Sequence, residues 1–158
     1  PDHLQAFQDL YEDETNQPGR FDASLEEVHH IIYNHGWAEV YPQRLGFEGS
    51  TDLTAAMDAA RGGRFEDVPD RYPEGSWYHY DDVTCDYSCM ATEYFYWALT
   101  SILGAQSYGG RPDSIANEWE LYNKELMQSK DVAMYGLMME PQFKLPTKLP
   151  NGDYSVSR

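Results

Sequence analysis

Positive charge is what this sequence has least of. Eleven Lys and Arg stand against 27 Asp and Glu, giving a formal net charge of −16. A surface of that sign repels phosphate backbones and anionic headgroups, so neither nucleic acid nor a membrane surface is an expected partner. Long apolar runs are missing too. The most apolar stretch, Tyr94 to Leu103, is about half the ~20 residues needed to cross a bilayer and contains Thr100 and Ser101. It reads as a core helix. There is no Gly-rich phosphate loop, no internal repeat and no low-complexity tract. Cysteine is nearly absent: Cys85 and Cys89 are four positions apart, not at the two-residue gap of redox or structural zinc pairs. On an ideal helix their Cα atoms would lie roughly 6 Å apart, inside disulfide range, so both a disulfide and free thiols fit. A disulfide would favour a secreted or periplasmic location. The chain opens at Pro1 with neither Met nor a basic-then-apolar leader, which reads as a removed leader or a trimmed end.

What is present is enough to fold. The 158 residues are 41% hydrophobic and 15% aromatic, with 13 Tyr and 4 Trp, which suits one domain spanning residues 1–158 and excludes a disordered chain. Periodicity predicts a mainly α fold. A first helix is expected over His3 to Glu14, where Leu4, Phe7, Leu10 and Tyr11 fall at helical spacing. A second opens at Ser24, with Ser24-x-x-Glu27 as a capping box, and stops at Gly36, after which Trp37 to Tyr41 add a turn before Pro42. Asp52 to Ala60 follows, capped by Ser50 or Thr51 and ended by Gly62-Gly63. Arg64 to Asp82 is Pro- and Gly-punctuated and rich in rings, a long ordered loop. Thr84 to Leu103 is a helix apolar nearly all round, hence central. Asp113 or Ser114 caps a helix to about Ser129, and a short one covers Val132 to Met139 before a Pro-rich tail.

The segment from Ser24 to Gly36 carries the densest chemistry. On a helical wheel Leu25, Val28, Ile31 and Ile32 form the expected core stripe, while Glu26, His30 and Tyr33 share a ~60° arc beside it. Glu26 and His30 are one turn apart on one face, the spacing by which a helix offers two ligands to one zinc ion. A third charge stands out by isolation. Glu93 is the only formally charged residue between Asp86 and Arg111, on the most apolar helix, where a buried carboxylate needs a partner or a proton.

Glu26-Glu27-Val28-His29-His30 resembles the H-E-x-x-H helix of the zincin metallopeptidases, with Glu in place of the first His. The resemblance implies zinc, with Glu26 and His30 as ligands and Glu27 as the general base acting on metal-bound water. In the gluzincin branch a Glu on a later helix completes the set, which implies Glu93, with Asp86 in reserve. The family's Asp four residues on is replaced by Trp97. Tyr33 or Tyr94 would steady the oxyanion. The implied activity is zinc-dependent hydrolysis of a peptide or protein substrate. A Glu ligand lowers the net charge of the site and makes zinc a weaker Lewis acid, which tells against catalysis more than against binding.

The same residues also fit an ordinary capped helix, with acids in the first turn favoured by the helix dipole and His29 and His35 packed beside the core stripe. On that alternative the chain is a non-catalytic binding domain whose rings around Trp77 to Tyr80 form a contact surface. A carboxylate di-iron site is disfavoured, because the second Glu-x-x-His it requires is missing.

Overall fold

The computed structural model describes residues 8–12, 15 and 22–150. The fold is mainly α, and among the described residues there is no sheet, only isolated bridges between Asp67 and Asp86 and between Tyr78 and Trp119. Helix α1 spans Ser24–Ile32 and continues through a π-helical turn, Tyr33–Trp37, into the short α2, Ala38–Val40. Gly36 therefore does not stop the helix. The π turn absorbs it, and the helix ends at Tyr41 ahead of Pro42, where φ moves to −124°. The expected capping box does not form either: Ala23 is the N-cap and gives no side-chain hydrogen bond, Ser24 lies inside the first turn, and its N–H donates to Asp22 Oδ1 at 2.9 Å. The helix expected over His3 to Glu14 lies largely outside the described residues. Its described residues 8–11 are irregular and exposed.

Helix α3, Asp52–Arg61, starts and stops as its sequence dictates. Thr51 Oγ1 accepts from Thr54 N while Thr54 Oγ1 accepts from Thr51 N, and Gly62 closes the helix at φ 76°. Residues 64–82 form the ordered loop, with Phe65, Tyr72 and His79 packed ring on ring. Helix α4, Tyr87–Ile102, is the centre of the molecule, and every residue from 90 to 101 is buried. α1, α3, and the later α6 (Lys124–Lys130) and α7 (Val132–Met138) surround it. Asp86 caps it by accepting from Cys89 N at 2.9 Å, which fixes this exposed carboxylate at the helix start and away from any ligand role. Cys85 and Cys89 are joined as a disulfide across that first turn, with Cα atoms 5.4 Å apart.

The helix expected from Asp113 or Ser114 to Ser129 is instead two helices. α5 covers only Arg111–Ile115 and contains both proposed caps, and α6 begins after Asn123, whose side chain accepts from Leu126 N at 2.9 Å. Trp119 breaks the segment. Its indole is buried with Nε1 donating to Ser101 Oγ at 3.0 Å, and its neighbours pair with the ordered loop through His79 N to Glu118 O at 2.7 Å and Glu120 N to Trp77 O at 3.1 Å. Tertiary pairing outweighs helix propensity here. Asp131, 2% exposed, joins three elements: it accepts from Trp77 Nε1 at 2.9 Å, from Tyr94 Oη at 2.6 Å and, as the cap of α7, from Met134 N at 3.1 Å.

Candidate metal centre

α1 turns an unexpected face inward. The stripe Leu25, Val28, Ile31, Ile32 is not core: Val28 is 53% and Ile32 49% exposed, while His29, His30 and Tyr33 are buried. The reason lies on α4. Phe95 stacks on Tyr33 with ring centroids 4.3 Å apart and on His29 at 5.4 Å, and Thr92 Oγ1 donates to Asn34 Oδ1 at 2.9 Å. Flat rings on α4 select flat rings on α1.

This rotation carries His30 and Glu26 toward Glu93. One ligand-capable atom from each of Glu26, His30 and Glu93 lies within 4.8 Å of the others. His30 Nε2 and Glu93 Oε2 are 3.4 Å apart, both side chains nearly closed to solvent, and neither atom has a hydrogen-bond partner. That distance is long for a charge-assisted hydrogen bond. It matches the edge of a zinc tetrahedron, in which ligands about 2.0–2.1 Å from the metal lie about 3.3–3.4 Å apart.

The electrostatics of the group follow from crowding of acids in a dry place. Burial, then the neighbouring Glu93 charge, push the Glu26 carboxyl from its usual 4.5 to about 8, with Glu27 adding and His30 and Tyr96 opposing. Burial opposes protonation of His30, but Glu93, Glu26 and Glu27 together outweigh it and raise its pKa. Without a cation, the cluster therefore retains protons that exposed groups would release. Glu118 is raised as well, by burial and then by Asp81 and Glu93.

The remaining candidates take other places. Glu27 Oε2 lies 3.5 Å from His30 Nδ1, on the opposite side of the ring from Nε2, and also accepts from the Gln8 amide. This is the position of a carboxylate that orients an imidazole. Tyr33 is a core residue whose hydroxyl donates to Leu45 O at 2.9 Å, and Tyr94 gives its hydroxyl to Asp131. Neither proton is available to an oxyanion. His35 is exposed and faces Glu39 at 3.3 Å. His29 is buried among Tyr33, Trp37, Phe95 and Tyr96 with both ring nitrogens unpartnered, and burial, then the His30 charge, hold its pKa down at about 3.

Two residues at the site escaped the sequence reading. Tyr96, fully buried, meets the His30 ring edge-on at 6.0 Å. It lies three residues after Glu93, on the same helical face, and that spacing was the available signal. Gln106, also fully buried, reaches Tyr96 from beyond the end of α4, and no sequence pattern announces it. No family model matches this chain, and neither a curated protein nor a solved structure matches it.

Proposed function

We propose that Glu26, His30 and Glu93 bind one zinc or similar divalent ion between α1 and α4, and that zinc-dependent hydrolysis of a peptide or protein substrate is the enzymatic form of this function. One observation carries the proposal: His30 Nε2 and Glu93 Oε2 face each other at ion-pair distance, 3.4 Å, both buried and without a hydrogen bond, with Glu26 beside them. Buried polar atoms without partners call for an ion or a water, and two carboxylates with an imidazole form a donor set suited to a divalent cation, whose charge they balance. Glu27 at His30 Nδ1 supplies the carboxylate that fixes the ring for metal binding.

The resemblance of Glu26-Glu27-Val28-His29-His30 to the zincin helix supports the hydrolytic form. That form needs a base on the metal side of His30, so Glu27 would have to leave Nδ1 and act on the metal-bound water. A second reading, a non-catalytic interaction domain held together by the same centre, is favoured by the outer face of α1 and α2, where Val28, Ile32 and Val40 are 53%, 49% and 66% exposed.

Elemental analysis of protein purified without chelator should find about one zinc per chain. Adding zinc at about 100 times its Kd should stabilise the metal-free protein by about 2.7 kcal/mol, roughly 5–10 °C in Tm. His30→Ala and Glu93→Gln should lose that response. A metal-free preparation with no thermal shift on adding zinc refutes the metal centre. Zinc binding without hydrolysis of casein or a peptide library selects the non-catalytic reading.

A further inference from the structure

The face that α1 turns outward borders a cavity. Leu25, Val28 and Ile32 on α1, Leu99 and Leu103 at the end of α4, and Leu149 line a space of about 220 Å³. Its position follows from how the chain after α7 is pinned. Trp37 Nε1 donates to Phe143 O at 2.9 Å and Tyr41 Oη to Gln142 O at 2.8 Å, which holds residues 142 and 143 against the end of the first helix. Lys144 then takes a left-handed conformation, φ 53°, which a lysine seldom adopts. The chain beyond it runs past α1, with Pro146 and Pro150 as stiff parts of the cavity wall. A second hollow, of about 280 Å³, adjoins the first across Ile32 and Trp37 and is walled by Val40 and Phe143. The polar groups of the first cavity are already committed or turned away. The Trp37 N–H is held by Phe143, the Thr100 hydroxyl donates to Tyr96 O at 2.6 Å and accepts from Gln106 Nε2 at 3.0 Å, and His29 keeps both ring nitrogens buried. The wall therefore offers hydrocarbon and aromatic surface.

Charge at this face runs against the trend of the molecule. Acids outnumber bases 27 to 11, yet no acid lines either space, and the charged residue at the rim is Lys148 in the first and Lys144 in the second. Both lysines are exposed, and among the described residues neither is in an ion pair or a hydrogen bond, whereas Arg44, Arg64 and Lys130 are each held by a carboxylate. We propose that the cavity between α1, the end of α4 and residues 146–150 binds a single-chain anionic amphiphile, a fatty carboxylate, with its hydrocarbon chain inside and its head at Lys148. A space of about 220 Å³ is smaller than the roughly 300–1,000 Å³ of pockets for drug-sized molecules, which selects a slender chain over a ring system or a two-chain lipid. The apolar wall selects hydrocarbon, and the free lysine at the rim selects a negative head, where a cation would find no carboxylate to hold it. Such a chain also covers Val28 and Ile32, which are otherwise 53% and 49% exposed. The inference does not depend on the metal centre, and it gives the outer face of α1 a small ligand rather than a protein partner.

The test is calorimetric titration of the full chain, with and without chelator, using decanoate, octanoate, decanol and decyltrimethylammonium, each below its micelle-forming concentration, with sedimentation to fix the oligomeric state. Decanoate should bind once per chain, and octanoate, two methylenes shorter, about tenfold more weakly. Decanol should bind more weakly than decanoate, and the ammonium more weakly still. Val28→Glu, at a half-exposed position, should abolish decanoate binding while the protein stays folded. Lys148→Glu should weaken decanoate about fivefold and leave decanol within about twofold. A wild type that binds no decanoate, an ammonium that binds as tightly as decanoate, or a Val28→Glu variant with wild-type affinity overturns the proposal. So does a dimer that Val28→Glu dissociates and that takes up no decanoate, which would assign the face to a second copy of the chain. Should Val28→Glu fail to fold, Lys148→Glu decides: no loss of decanoate affinity, or an equal loss for decanol, overturns the proposal. Because each titration is run with and without chelator, a failure to bind decanoate leaves the zinc reading standing, and a failure to bind zinc leaves this one standing.

Discussion

Raising the pH of the metal-free protein through the range in which Glu26 ionises should destabilise it, and Glu26→Gln should remove most of that effect. In the unfolded chain this carboxyl titrates near 4.5 and in the fold near about 8, because burial and then Glu93, helped by Glu27, outweigh His30 and Tyr96. The folded state thus holds the proton more tightly. Its contribution to stability is complete below the unfolded value and is lost as pH rises through the folded one. Between about pH 7 and pH 9 the loss amounts to about 1–2 kcal/mol, or roughly 3–6 °C in Tm for a chain of this size. His30 acts in the same direction: its pKa is raised in the fold, so its contribution also fades as pH rises. His29 acts in the opposite direction but outside this window, because its folded pKa is held at about 3 and its contribution is lost only as pH falls below the ordinary histidine value. Urea melts followed by tryptophan fluorescence, in chelator, at about pH 7, 8 and 9, measure the slope for wild type and Glu26→Gln. Zinc should restore more stability at the alkaline end, where it no longer competes with a proton. A wild-type stability that is flat or rises across this range, or a Glu26→Gln variant with the wild-type slope, would refute the placement of an acid-crowded Glu26 beside Glu93.

Two further predictions separate structural residues from site residues. Asp131→Asn keeps an oxygen for Met134 N but turns an NH2 toward the two donors that Oδ2 now accepts, Tyr94 Oη and Trp77 Nε1; two buried donors left unpaired should cost about 2–5 kcal/mol in a denaturant melt with zinc affinity unaltered. Tyr33→Phe removes only the bond to Leu45 O, so it should cost about 1 kcal/mol of stability and leave both zinc affinity and any hydrolytic rate within twofold of wild type; a loss of zinc binding would place Tyr33 in the centre after all.

The parts of the fold that were legible in the sequence were those decided locally. α3 was readable because Thr51 and Gly62 act on their immediate neighbours, and α4 because an uninterrupted apolar run has nowhere to go but the core. The helix expected from Asp113 to Ser129 failed because Trp119 is drawn into the core beside Ser101 and its backbone is paired by the loop at Trp77 to His79, partners some forty residues away in sequence. Within the site, Glu26 and His30 were legible because a one-turn spacing puts them on one face whichever way the helix faces. Glu93 was legible by scarcity, as a lone charge in an apolar helix. Gln106 was not, because it reaches Tyr96 only after Gly104, at φ 87°, folds the chain back on the end of α4.

The orientation of α1 is the deeper miss, and its cause bears on function. A wheel at 100° per residue holds only while the helix stays α, and the π turn at Tyr33–Trp37 adds a residue to the turn and shifts everything after it. Before that turn the error is one of weighting. Turning Val28 and Ile32 inward would recover a substantial part of the ~1.5–3 kcal/mol that full burial of each aliphatic side chain contributes, yet the fold leaves both about half exposed and buries His29, His30 and Tyr33 instead. Stacking on Phe95 returns part of that, at about 0.5–1.5 kcal/mol per ring pair. His30 adds desolvation of an imidazole facing three acids, a cost that stacking does not relieve and that a bound cation would. Local preference and global structure disagree at this helix, and such disagreements collect at functional sites. The face that α1 turns inward is the one that brings an imidazole and two carboxylates within 4.8 Å of one another.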